Sequence, residues 1–122
     1  MAGAIREAIQ RKAQALITVS HAVLGPHMRQ ISDLAIKNQL PSMCEARQYV
    51  DAGCVMSYST DDLEVFRRVA IYVDKILKRA KPGDLPVEQP TKFELAINLS
   101  TAKQIGLSVP PNVLARADRV IK

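Results

Sequence analysis

Aromatic side chains are scarce in this chain. Tryptophan is absent, and two phenylalanines and three tyrosines are spread over 122 residues. Few rings are available to stack on bases, and the net charge of +5 comes from scattered lysines and arginines rather than from a basic run. Both facts argue against a nucleic-acid partner. Cysteine is limited to Cys44 and Cys54, and the two histidines, His21 and His27, lie elsewhere. A metal site wants more ligands than that at closer spacing, so no metal is expected. Long apolar runs are missing too. No window approaches the ~18 apolar residues of a membrane span. Arg6, Glu7, Arg11 and Lys12 interrupt the N-terminus, which therefore shows no signal-peptide h-region. The chain reads as soluble, with no export address, and as cytoplasmic if Met1 is the true start. The glycines form no phosphate-cradling motif, so no nucleotide cofactor is implied.

What is present is an ordinary globular composition, 48% hydrophobic and 24% charged. That content is enough for a single domain over residues 1–122. Ile5, Ala8, Ile9 and Ala13 fall at helical spacing across 3–14. Ala15 to Val19 is a branched apolar run, read as a strand buried on both faces. A loop to Pro26 follows. A helix over 27–38 then places Met28, Ile31, Leu34 and Ala35 on one stripe, and a second strand runs from Ser42 to Glu45. A short helix or turn over 47–52 precedes a third strand at Cys54–Ser57. Strands alternating with helices of this length predict a mostly parallel α/β sheet in three layers.

The segment after Thr60 is the most regular. Ser59 or Thr60 is the expected cap, Asp61, Asp62 and Glu64 suit the positive helix start, and Lys75, Lys78 and Arg79 suit its end. Leu63, Phe66, Ala70, Val73 and Leu77 follow the spacing of a core-facing stripe. Pro82-Gly83 ends the helix, and Pro82, Pro86 and Pro90 hold an extended connection over 80–92. Phe93–Asn98 alternates like a half-buried strand. Ser100 is the expected cap of a short helix ending at Gly106, and Pro110-Pro111 opens a last helical stretch toward Ile121. Cys44 and Cys54 read as two small buried hydrophobes, with a disulfide the alternative if the chain works outside the cytoplasm.

The segment YVDKILKRAKPGDLPVEQPTKFELAINLSTAKQIGLSVPPNVLARADRVI resembles the C-terminal end of ABC-transporter substrate-binding proteins. These are periplasmic-binding-type proteins related to the tryptophan and aromatic amino-acid binders. ALITVSHAV, MRQISDLAIKNQLP and AGCVMSYS extend the likeness upstream. The resemblance implies one lobe plus crossing segments of a two-lobed binding protein, a periplasmic location, a small organic solute and an ABC permease as partner. It also implies hinge segments near 57–60 and 86–90. A chain carrying only this portion would leave apolar faces uncovered, so a homo-oligomer is expected. The alternative is a truncated, self-associating fragment with no transport activity.

In parallel α/β sheets ligands gather beyond the carboxyl ends of the strands. Ser20 and His21 follow the first strand, and Glu45 and Ala46 follow the second, so these are the candidate ligand-binding residues. Ser20 can hydrogen-bond a polar solute, and Glu45 can pair with an ammonium group. Gly53, before the third strand, would let backbone approach the ligand. His21 and His27 beside Ser20 or Cys44 lack the carboxylate orienter and nucleophile-elbow spacing of a hydrolase. No catalytic residue is assigned, and the chain is not expected to be an enzyme.

Overall fold

In a computed structural model that describes residues 2–122, the chain forms two compact units. One comprises residues 2–59 and 94–122, and the other residues 60–93.

The larger unit is built on a five-stranded sheet in the order β1-β2-β3-β4-β5. The strands are β1 (Leu16–Ile17), β2 (Ser42–Cys44), β3 (Met56–Thr60), β4 (Phe93–Asn98) and β5 (Arg119–Ile121). The last residue of β3 and the first of β4 fall in the smaller unit. Leu16 pairs with Ser42 and Cys44 with Ser57, so β1, β2 and β3 run parallel. β4 and β5 are also parallel, with Ala96 opposite Arg119. β4 runs against β3, because the Asn98 N–H donates to the Val55 carbonyl at the start of β3 (2.8 Å) and the Asp61 N–H to Lys92 at its end (3.2 Å). The sheet is thus mostly parallel, the α/β class expected from the alternation of helices and strands.

Helices α1 (Ala2–Gln10), α2 (Met28–Lys37), α3 (Gln48–Asp51), α5 (Leu99–Gln104) and α6 (Pro111–Leu114) complete this unit. Ile5, Met28 and Ile31 bury their side chains with Cys44 and Cys54, and Leu16, Leu24, Leu34 and Tyr49 close around them. Val55, Ala102 and Ile105 form a second apolar cluster with Ile36 and Val109. The two cysteines are joined, Cys44 Sγ to Cys54 Sγ at 2.03 Å. The expectation of two free thiols is therefore corrected, although their burial stands.

Other details also depart from expectation. β1 is an edge strand and not a doubly buried one, with Ile17 70% and Val19 74% exposed. The cap of α5 is Asn98, whose side chain accepts from the Thr101 N–H at 2.9 Å. Ser100 instead lies inside that helix. The chain end expected to stay helical to Ile121 gives one short turn, α6, and then β5, because the β4 edge offers it a hydrogen-bonding partner. β4 does not alternate cleanly: Ala96, Ile97 and Asn98 are all buried, as in a strand covered on both faces.

The smaller unit is α4 (Asp62–Leu77) and the strap that follows it to residue 92. Its cap is Asp61, not Ser59 or Thr60, since Asp61 Oδ1 accepts from the Leu63 N–H at 3.1 Å. A single turn at Pro82–Asp84 starts the strap, which continues irregularly, as its prolines require. None of α4's residues is buried. The stripe expected to face a core, Leu63, Phe66, Ala70, Val73 and Leu77, faces solvent. The chain passes between units at 59–60, inside the first expected hinge, and at 93–94, beyond the proline segment expected as the second.

Candidate functional site

Three parallel strands end together, and the loops after them carry the polar groups. Thr18 extends β1 by one residue, its N–H donating to the Met43 carbonyl at 3.0 Å. Its hydroxyl donates to Glu45 Oε2 at 2.5 Å, just past the end of β2. Thr18 is buried and Glu45 half-buried. This bond orients the carboxylate and occupies one of its oxygens. Oε1 remains to accept from a cation or a donor, because an ionised carboxylate has about four lone-pair sites.

Arg47 follows two residues later. Its Nη1 donates to both oxygens of Glu94, at 3.1 and 3.3 Å. Glu94 reaches this edge because β4 runs against β3, so the beginning of β4 lies beside the end of β3. The edge therefore presents Thr18–Glu45 and Arg47–Glu94, two pairs of polar side chains.

The sequence-predicted residues divide in two. Ser20 and His21 lie exposed after β1, and Glu45 and Ala46 lie half-buried after β2. Those four belong to loops on one edge of the sheet. His21 Nδ1 accepts from the Val23 N–H at 3.2 Å, which shapes the turn after β1. Gly53 is elsewhere: it precedes β3, at the opposite end of the strands. Its φ of +111° and its packing explain the glycine. A Cβ there would come within 3.3 Å of Ser32 Cβ on α2, in a conformation that L side chains rarely adopt. Thr18, Arg47 and Glu94 were not singled out from sequence. Thr18 is hidden within an apolar run, and Glu94 reaches the edge only through the reversed direction of β4.

The short ring between β2 and β3 holds the Glu45 loop. The Cys44–Cys54 bond closes it at the base, with a Cα–Cα distance of 6.4 Å. Inside it, Cys54 N–H donates to the Tyr49 carbonyl at 3.0 Å. Asn98 Nδ2 reaches in from β4 to the Val50 carbonyl, also at 3.0 Å. Among the described residues no cluster of three or more His, Cys, Asp or Glu side chains could hold a metal ion. No helix there is long and apolar enough to cross a membrane.

A family model described as ABC transporter substrate binding protein matches residues 1–121. Among curated proteins, none matches. A conserved domain protein from Vibrio cholerae superposes with a TM-score of 0.86 at 26% identity, over 98% of this chain and 41% of that one. A Streptococcus pneumonia domain solved in complex with L-Trp gives 0.85 at 22% identity, over 98% and 41%. The ligand-free, open form of a Clostridium difficile substrate binding protein with adhesive properties gives 0.71 at 18% identity, over 99% and 40%. The chain thus spans about two fifths of the length of these solved structures.

Proposed function

The chain belongs to the ABC transporter substrate-binding protein family, and we propose that it forms the C-terminal portion of a binding component that captures a small organic solute bearing an ammonium group, such as an amino acid, for an ABC permease. The single observation behind this reading is the Glu45 carboxylate, held by Thr18 where β1 and β2 end. A negative oxygen fixed at the carboxyl edge of a parallel sheet is suited to pairing with a solute cation. Ser20 and the Ala46 backbone add neutral donors and acceptors beside it. Arg47, whose Nη1 is engaged by Glu94, keeps further N–H donors for a solute carboxylate.

The solved relative with L-Trp bound supports the amino-acid class. The disulfide supports work in an oxidising compartment, extracellular or periplasmic, since such bonds persist there. Members of the family are binding proteins.

Calorimetric titration of the chain with L-tryptophan, other amino acids, nucleosides and small carboxylates tests the reading. Saturable heat with an amino acid, weakened ~10-fold or more by Glu45→Gln, is the expected result, because a charge-assisted bond contributes about 1.5–3 kcal/mol. Absence of heat with every solute would overturn binding by this chain. Undiminished binding by Glu45→Gln would move the ammonium contact elsewhere.

A further inference from the structure

We propose that Glu94 is a specificity-determining residue of the carboxyl edge, one that admits ammonium-bearing solutes of zero or positive net charge and turns acidic ones away. The role assigned to Glu94 rests on the solute reading above and adds to it which solutes are refused.

The first observation is how Glu94 holds Arg47. Both carboxylate oxygens of Glu94 accept from the same nitrogen, Arg47 Nη1, at 3.1 and 3.3 Å. A forked pair would use two nitrogens and occupy a whole side of the guanidinium. Here Nη2 and Nε stay available, so one further carboxylate can still be received. It is received, however, by an arginine whose charge is already answered. The Glu94 side chain is 17% exposed against 51% for Arg47, so the carboxylate is the better shielded partner and salt screens it less. Neighbouring cations do not relieve it. Arg119, on the adjacent strand β5, is committed to Asp51 by bonds of 2.8 and 3.1 Å, and Lys92 is paired with Asp61 at 2.9 Å.

The second observation is the charge of the edge as a whole. Glu45, oriented by Thr18, is a second carboxylate, and Arg47 follows it on the same loop. Two carboxylates against one guanidinium leave the edge negative, although the chain as a whole carries +5. Asp118 adds to this, its Oδ2 accepting from the N–H of Leu95, the residue after Glu94, at 2.8 Å.

A zwitterion suits that balance. Its ammonium goes to Glu45 and its single carboxylate to the outer donors of Arg47. An acidic solute brings a second carboxylate into the same field, and that group has no cation left to meet. Like charges brought together in a partly buried site repel more strongly than in water, because the local dielectric is lower. Selectivity then comes from repelling the wrong solute rather than from an added contact to the right one. A purely cationic amine meets no such penalty.

L-glutamine and L-glutamate differ in charge at nearly equal size, and calorimetric titration of the whole chain with each tests the proposal. Glutamate is expected to bind at least ~10-fold more weakly than glutamine. Raising sodium chloride to about 0.5 M should shrink that gap. Glu94→Gln keeps an acceptor for Arg47 but removes the charge, and it should close most of the gap with circular dichroism unchanged. Equal affinities in the unaltered chain, or a gap that Glu94→Gln leaves as wide, would overturn the proposal. A second measurement needs no amino acid. Sodium acetate, followed by the NMR resonance of the Arg47 Nε–H, should bind Glu94→Gln at least ~10-fold more tightly than the unaltered chain. If neither amino acid gives heat, it is the solute reading that fails, and the acetate constants decide for Glu94: equal constants would overturn its role.

Discussion

Ile97 and Phe66 both sit on regular elements with apolar neighbours at the right period, yet one is completely buried and the other is 70% exposed. Ile97 lies on β4, in a sheet where each flank of its strand is occupied. Phe66 lies on α4, none of whose residues is buried. The contrast shows that amphipathic spacing states a demand for burial without saying what meets it. In the larger unit the demand is met by residues far apart in sequence, Ile5 with Met28 and Ile31 and Val55 with Ala102 and Ile105. In the smaller unit it is directed outward.

The sharpest way to break this contrast is a pair of truncations. Ile97→Ala should lose about 2–5 kcal/mol in urea unfolding, since it opens a cavity among side chains that cannot close over it. Phe66→Ala should change stability by no more than about 0.5 kcal/mol. Equal losses would mean that Phe66 has a covering partner within the chain.

Helix caps give a second, smaller test. Asn98 caps α5 and also donates to the Val50 carbonyl, both in buried surroundings. Asn98→Ala should cost about 2 kcal/mol, because a buried acceptor is left unpaired in addition to the lost cap. Asp61, half-buried and paired with Lys92, caps α4, and Asp61→Ala should cost about 1 kcal/mol because no buried acceptor is orphaned.

The smallest effect is that of pH on the strap. The Lys92 ammonium hydrogen-bonds Asp61 and holds its carboxyl below the ordinary value, while the same contact raises Lys92. A depressed carboxyl contributes stability that is present above its unfolded value of about 3.9 and is lost as pH falls through the lowered folded value. A raised ammonium contributes up to its unfolded value of about 10.4, and that contribution fades as pH climbs through the folded one. NMR relaxation of the Val87 methyl groups should therefore show a looser strap at pH 3 than at pH 6. The methyl groups of Ile97 should not respond.

The alternation of helices and strands, the turns at Pro41 and Gly106 and the mostly parallel sheet were legible because local spacing and breakers decide them. Four of the candidate edge residues, Ser20, His21, Glu45 and Ala46, were placed together by one rule about strand ends. The rest depended on tertiary pairing. β5 forms because β4 presents an edge, although the sequence around Arg119 reads as helix. Glu94 reaches Arg47 only through a strand reversal that no local pattern announces. Gly53 drew notice as a glycine, but its positive φ and its close approach to Ser32 on α2 could be read only from the fold. Cys44 and Cys54 were recognised as buried, yet only their positions across β2 and β3 show that they meet.

That last bond has a consequence for how the edge can vary. It turns the stretch carrying Glu45, Ala46 and Arg47 into a small macrocycle whose two ends are welded to neighbouring strands. β2 and β3 cannot slip past one another while it is intact, and a one-residue slip would turn every side chain to the wrong face. The residues inside the ring are therefore relieved of any duty to hold the strands in step. Glu45, Ala46 and Arg47 can thus vary at little risk to the sheet beneath them, whereas Val50, in the same ring, is completely buried and cannot.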